Sequence, residues 1–179
     1  MLDPRVTRLA ELMATHSLKL TAADSVLLHA FDIPEEATAE FVRVLRSTGA
    51  QVSVRLENAV VKRSLMLGMT QANAETVAAT ELYEMEKMTA YLALRGGANY
   101  AESSDIPKDI REMWDRTYVQ PVVFGRRVPH TKWVVTRWPS PGMAQQANSS
   151  TAAFEDFYFR VTTVDYAKMA RACEPLTDL

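Results

Sequence analysis

The side chains of this sequence that could do chemistry are a run of carboxylates, three histidines, one serine between prolines and one cysteine. In TELYEMEKM, residues 80–88, Glu81 and Glu84 fall on one helical face with Glu86 and Lys87 beside them. Two carboxylates held together can act as acid and base or grip a divalent cation. The same spacing also describes the solvated side of an amphipathic helix, and that is the reading adopted for this run. His16, His29 and His130 are scattered, with no H-E-x-x-H or other metal-ligand spacing. His16 reads as a helix-surface residue and His29 as a hydrogen-bonded residue of a buried strand. His130, which follows Arg126-Arg127-Val128-Pro129, reads as a loop residue able to face a cleft. No G-x-S-x-G elbow exists, and Ser140 has no recognisable base partner. The lone Cys173 excludes an internal disulfide and a four-cysteine zinc site. It falls on an apolar helical stripe and is expected to be a buried thiol. Gly96-Gly97 is the one glycine pair; no turn matches G-x-G-x-x-G or the P-loop, so nucleotide binding is disfavoured and the pair reads as a tight turn. No catalytic signature stands unaided.

A second kind of address is structural. Lys132 to Trp138 reads as a strand, because two tryptophans, two valines and a threonine suit a pleated, half-buried surface. Pro139-Ser140-Pro141-Gly142 is expected to stop both strand and helix, since two prolines remove donors and the glycine permits a turn. Ligand sites of α/β proteins sit at such strand ends. Trp138, Pro139, Ser140, Pro141 and Gly142, with His130, are therefore the candidate site residues. The plainer reading makes Trp133 and Trp138 core packing.

The elements that must position these residues follow from periodicity. Pro4 to about Lys19 reads as a helix, with Asp3 as N-cap and Pro4 at its first position. Asp24 to Phe31 is an apolar run suited to a strand covered on both faces. A helix follows Pro34, with Ala37, Phe41, Val44 and Leu45 on one side and Gly49 as its C′ residue. Ala50–Leu56 is the second strand, Ala59–Leu67 and Ala74–Met88 are helical, and Ala90–Gly96 is the third strand. Asp105 to about Phe124 is helical, with Ile106, Ile110, Met113, Trp114 and Tyr118 at helical spacings and Pro121 expected to break or kink its last turn. From about Thr151 the chain is helical, placing Met169, Cys173, Leu176 and Leu179 on one stripe. This alternation predicts one α/β domain over 1–179: three layers, a mostly parallel sheet of four to five strands, helices on both faces.

Bulk composition bounds the partners. The chain has 179 residues, 47% apolar and 23% charged, which is the balance of a soluble globular domain with a real core. Twenty Lys and Arg against 22 Asp and Glu give a net charge of −2 and no basic footprint for nucleic acid. The charged N-terminus has no signal-peptide core, and the apolar run Val26–Phe31 is far too short to span a bilayer. These features lead to the expectation of a cytoplasmic protein.

The order of segments is similar to that of a known group. WPSPGMAQQANSSTAAFEDFYFRVTTVDYAKM, from Trp138 to Met169, resembles the aminopeptidase T-like metallopeptidases, which include aminopeptidase S and PepS. Trp138, Pro139, Pro141, Ala144, Ala147, Phe154, Phe157, Tyr158 and Asp165 occupy matching places. The opening from Asp3 to Ala30 also looks like that family's start. These motifs are packing patterns, none of them catalytic. The resemblance implies a chain about twice this length. In it an N-terminal α/β domain precedes a catalytic domain holding two divalent ions (zinc, cobalt or similar) through Glu, His, Tyr and Asp side chains. It further implies a dimeric exopeptidase that removes N-terminal residues from peptides. On that basis the chain is expected to be the N-terminal half, inactive by itself, partnered by its own catalytic domain and shaping or gating the peptide channel with Trp138 to Gly142. No metal ligand or base carries over to a residue of this chain. The alternatives from other classes are a free-standing small-ligand-binding module and a structural module that oligomerises through its C-terminal apolar helix.

Overall fold

The computed structural model describes residues 3–177, with side chains through residue 175. Helix α1, Pro4–Leu12, starts where the Asp3 side chain accepts the Arg5 backbone N–H at 2.8 Å, with Pro4 at the first helical position. It runs on into a π-helical turn, Met13–Ser17. Strand β1, Ser25–Phe31, leads through α2, Glu35–Ser47, to β2, Gln51–Glu57. Gly49 follows α2 with φ +87, the left-handed residue that ends the helix as expected. Helices α3, Ala59–Leu67, and α4, Gln71–Glu86, precede β3, Ala90–Arg95. Helix α5, Lys108–Trp114, continues as a π-helical stretch, Asp115–Arg127, and a last turn α6, Val128–His130. Strand β4, Lys132–Arg137, is followed by α7, Pro141–Gln146, α8, Thr151–Thr162, and α9, Tyr166–Thr177.

The four strands form one wholly parallel sheet in the order β2-β1-β3-β4. The two central strands, SVLLHAF and AYLALR, are buried almost throughout, which is why they read as continuous apolar runs. One face packs Val26, Leu28, Leu92 and Leu94 against α1, α2 and α8 through Leu9, Phe41, Leu45 and Phe159. The other packs Leu27, Tyr91 and Ala93 against Ala78 and Met85 of α4 and Tyr118 and Val122 of the π-helical stretch. Each fully buried Leu contributes about 1.5–3 kcal/mol. The three-layer α/β fold is therefore as expected, with four strands.

Several local expectations are corrected. Pro121 does not end its helix; the chain has already widened to π-helical geometry at Asp115 and stays helical to His130. The proline segment does not exclude helix either. Pro141 sits at the first turn of α7, where its missing N–H has no intrahelical partner to lose. Glu81 and Glu84 are not a solvated pair: both carboxylates grip the Arg55 guanidinium across the α4–β2 junction. Trp133 is half exposed on the edge strand β4 and is not core, whereas Trp138 is buried. Cys173 is exposed, because α9 lies against almost nothing and Met169 is exposed beside it. The side chain of Leu176, and Leu179 altogether, lie outside the described residues. Among the described residues no helix is long and apolar enough to cross a membrane.

Candidate functional site

A parallel sheet brings the carboxyl ends of all its strands to one edge. Here the chain leaves β1 toward β2 on one side and returns to β3 on the other, so the crevice opens between the ends of β1 and β3. A cavity of about 570 Å³ lies there. Asp32 and Pro34 enter it after β1, Asn58 after β2, Gly97 to Asn99 after β3, and Trp138 to Pro141 after β4.

The crevice is built by close backbone contacts. Asp32 turns the chain off β1 with φ +47, a left-handed conformation that Asp tolerates. Its carboxylate accepts the Asn58 side-chain N–H at 2.8 Å and the Ala59 N–H at 3.2 Å, which places negative charge at the start of α3. Gly96 donates to the Phe31 carbonyl at 2.8 Å. A Cβ on Gly96 would stand 2.4 Å from the Asp32 carbonyl oxygen, so this position requires glycine. Trp138 donates to the Arg95 carbonyl at 2.8 Å, extending the β3–β4 register past the strand. The Ser140 hydroxyl then caps α7 by accepting from the Met143 N–H. Gly142 lies behind the wall, where a Cβ would stand 2.9 Å from the Ala98 carbonyl oxygen.

Trp138 lines the cavity while its ring stands perpendicular to that of Phe159, with centroids 6.1 Å apart. It is both core residue and wall. Asp32, Glu102 and Glu155 bring carboxylates to the lining, and no basic side chain is among the lining residues. Asn99 donates to Glu102 at 3.1 Å, and Glu155 stands 3.7 Å from the Arg5 guanidinium. The mouth is acidic, with apolar proline and tryptophan walls.

Thus Trp138, Pro139, Ser140 and Pro141 line one cavity, with Gly142 directly behind them. His130 is not brought to it. It closes α6 just before β4, at the amino end of the sheet, and is exposed. Ser140 acts as a helix cap. Asp32, Asn58, Asn99, Glu102 and Glu155 were not among the candidates read from the sequence. For Asp32 and Asn58 a signal existed, since each directly follows a strand of a parallel sheet. For Glu102 and Glu155 none did.

A second polar assembly lies on the α4 face. His29, buried, bridges Glu57 through Nε2 at 2.7 Å and the Tyr91 hydroxyl through Nδ1 at 2.9 Å. An ionised carboxylate can only accept, so Nε2 donates to Glu57, and in the neutral ring Nδ1 accepts from Tyr91. Burial opposes ionisation of Glu57, yet the His29 hydrogen bond and the Lys62 ammonium hold its carboxyl below the usual range. Burial pushes the Tyr91 phenol up, and burial with the Glu81 carboxylate does the same to Tyr118. Tyr118 donates to Glu81, and the Arg127 guanidinium covers the Tyr91 ring at 4.0 Å. Every partner is a neighbour in the fold, and the assembly locks strands to helices. As expected from the sequence, His29 is a hydrogen-bonded core histidine.

Among the described residues no group of three or more His, Cys, Asp or Glu is placed to hold a metal ion. The carboxylates of the cavity are committed to a helix start, an asparagine and an arginine, so they do not form a metal centre.

Comparisons with known proteins agree with the segment order. No curated protein sequence matches the chain. The fold is similar to that of wild-type AmpT from Thermus thermophilus, with a TM-score of 0.63 at 17% identity over 89% of this chain. The chain spans only 43% of AmpT. The model of the thermophilic metalloprotease (M29) family matches residues 2–175. The helix-then-buried-strand opening and the Trp138–Met169 pattern both lie inside that match, and the chain belongs to the thermophilic metalloprotease (M29) family.

Proposed function

We propose that this chain is the N-terminal α/β domain of a metal-dependent aminopeptidase and that its strand-end cavity forms part of the path taken by the peptide. The observation that carries this reading is the cavity itself: rigid apolar walls with an acidic lining, at the switch point of a domain of a metallopeptidase family. The lining carries carboxylates and no basic side chain, which favours the protonated amino end of a peptide and repels its carboxylate end. Pro139, Pro141 and Trp138 supply surface that loses little freedom on binding. The two divalent ions expected of such an enzyme would be held by its catalytic domain; among the described residues here no group of three or more His, Cys, Asp or Glu is placed to hold one. Those ions would polarise the scissile carbonyl and activate water. This domain admits and orients peptide, and it has no turnover alone.

The test is peptide-length and N-terminal-residue selectivity of the complete enzyme carrying Trp138→Phe, Trp138→Ala or Glu102→Lys. Trp138→Ala also removes the Phe159 contact and costs about 3–5 kcal/mol of stability, so rates are compared well below its melting temperature. The expected result is altered selectivity in Trp138→Ala and Glu102→Lys, with Trp138→Phe close to the parent. Unchanged selectivity in all three removes the cavity from the peptide path.

A further inference from the structure

A second cavity adjoins the crevice. It measures about 460 Å³ and lies between α2 and the outer edge of β2. Ile33, Ala39, Val42, Val54 and Leu56 give it an apolar floor, and Val54 is 43% and Leu56 69% exposed. Asp32, Glu35 and Glu57 stand at the carboxyl end of the strands, and no basic side chain is among its lining residues. Asp32 and Asn58 line both cavities. The strand beside this groove has backbone groups to offer. β2 is paired on one side only, one-to-one with β1 from Gln51 to Glu57, without the bulge or proline that blunts many edges. Gln51 donates to the Asp24 carbonyl and the Glu57 carbonyl accepts from Asp32, so the odd-numbered residues of β2 face inward to β1. Alternation turns the N–H and C=O groups of Val52, Val54 and Leu56 outward.

We infer that this groove and edge bind an extended peptide, which adds to β2 as an antiparallel strand with its amino end directed into the crevice. The inference rests on the reading of the crevice as part of a peptide path. A row of outward main-chain groups is met by another strand, and a groove beside the row takes that strand's alternate side chains. In antiparallel addition the residues opposite Val52, Val54 and Leu56 exchange both N–H···O bonds with them. Those same residues place their side chains on the α2 face, over Val54, Leu56 and the groove. Direction follows from charge. Asp32, Glu35 and Glu57 gather at the carboxyl end of β2, so a peptide's ammonium group belongs there and its carboxylate does not. The helix starts nearby do not reverse this preference. Asp32 accepts the Ala59 N–H at the start of α3, and α2 opens with Glu35 and Glu36. An ammonium group at that end requires the antiparallel direction, and it stands beside the two side chains that the groove shares with the crevice. The ligand class is a peptide with a free amino end and apolar side chains at alternate positions. Its first, third and fifth residues fall opposite Leu56, Val54 and Val52.

The test uses the 179-residue chain and a hexapeptide amide. Leucine and threonine alternate from its free amino end, and a closing lysine carries a dye on its side chain. Fluorescence anisotropy follows binding up to about 0.3 mM protein. One version of the peptide is N-methylated at its third and fifth residues, whose N–H groups face β2; another is N-methylated at its second and fourth, whose N–H groups face away. A third version is acetylated at the amino end. The expected result is binding that the first methylation weakens about tenfold or more and the second less than about threefold. Acetylation weakens it about threefold or more. Leu56→Lys, at a site already largely exposed and with its fold confirmed by circular dichroism, weakens it about tenfold. No binding, equal effects of the two methylation patterns, or an acetylated peptide held as tightly as the free one would each overturn the proposal. So would a chain that runs as a dimer the peptide does not dissociate, since a second copy would then hold the edge. Binding by the 179-residue chain but not by the complete enzyme would overturn it too, because another part of the protein would cover β2. The assay reads the edge and not turnover. Alternating sensitivity to methylation therefore keeps this site even if the Trp138 and Glu102 variants leave selectivity unchanged, and absence of binding removes it whatever those variants do.

Discussion

Removing the charge of Asp24 should cost stability in a way that depends on pH. Asp24 begins the turn into β1 and is 6% exposed. Its carboxylate accepts from the Thr21 N–H at 2.9 Å, the Thr89 hydroxyl at 2.9 Å and the Lys132 ammonium at 3.0 Å. Its backbone carbonyl takes the Gln51 N–H. One residue thus ties the starts of all four strands. Burial would raise its pKa, but Lys132, the Thr21 N–H and the two threonine hydroxyls outweigh burial and bring it down to about 2. An unfolded aspartate titrates near 3.9, so the ionised form favours the fold by about 2 kcal/mol, allowing for water around the half-exposed ammonium. Because the folded pKa is the lower one, this contribution is complete above about pH 5 and fades as pH falls from 4 toward 2. Asp24→Asn keeps the shape but points an amide N–H at donors. It should lower the melting temperature by about 4–8 °C at pH 7, and the gap to the parent should narrow below pH 4. Thermal unfolding at pH 7, and urea unfolding at pH 7, 5, 3.5 and 2.5, measure the two. A gap that stays constant down to pH 2.5 would show that the ionised carboxylate is not what ties the strands.

Gly96→Ala should destabilise by about 3 kcal/mol or more, because its methyl would overlap the Asp32 carbonyl and only backbone movement could relieve it; the urea midpoint at an unchanged slope checks this. Cys173, exposed on α9, should react fully and fast with a thiol reagent in the folded protein, and protection until denaturant is added would mean that α9 is covered in solution.

How legible the molecule was from its sequence depended on whether neighbours in the chain were also neighbours in space. Asp3-Pro4 at a helix start, Gly49 at a helix end and the unbroken apolar runs of β1 and β3 are local signals, and each stands where it was read. The strand-end position of Trp138 to Pro141 was legible for the same reason: a parallel sheet fixes which end carries the crevice. Glu81 and Glu84 were misread because their partner, Arg55, is on another element. Cys173 was misread because an apolar stripe says that a face wants cover, not that cover is present. Pro141 was misread as an interruption because proline means opposite things inside a helix and at its first turn. Glu102 and Glu155 reach the cavity only through the fold, and nothing local distinguishes them from other surface acids.

The contacts of Gly96 with Asp32 and of Gly142 with Ala98 join three strand ends main chain to main chain. No side chain lies between them whose rotation could open or shut the gap. The floor of the crevice is therefore set by main-chain packing, while its chemistry is carried by Asn58, Asn99, Glu102 and Glu155 around it. Shape and selectivity are thereby written in separate sets of residues. The second set can drift, or be redesigned, toward other ligands without asking the sheet to fold differently.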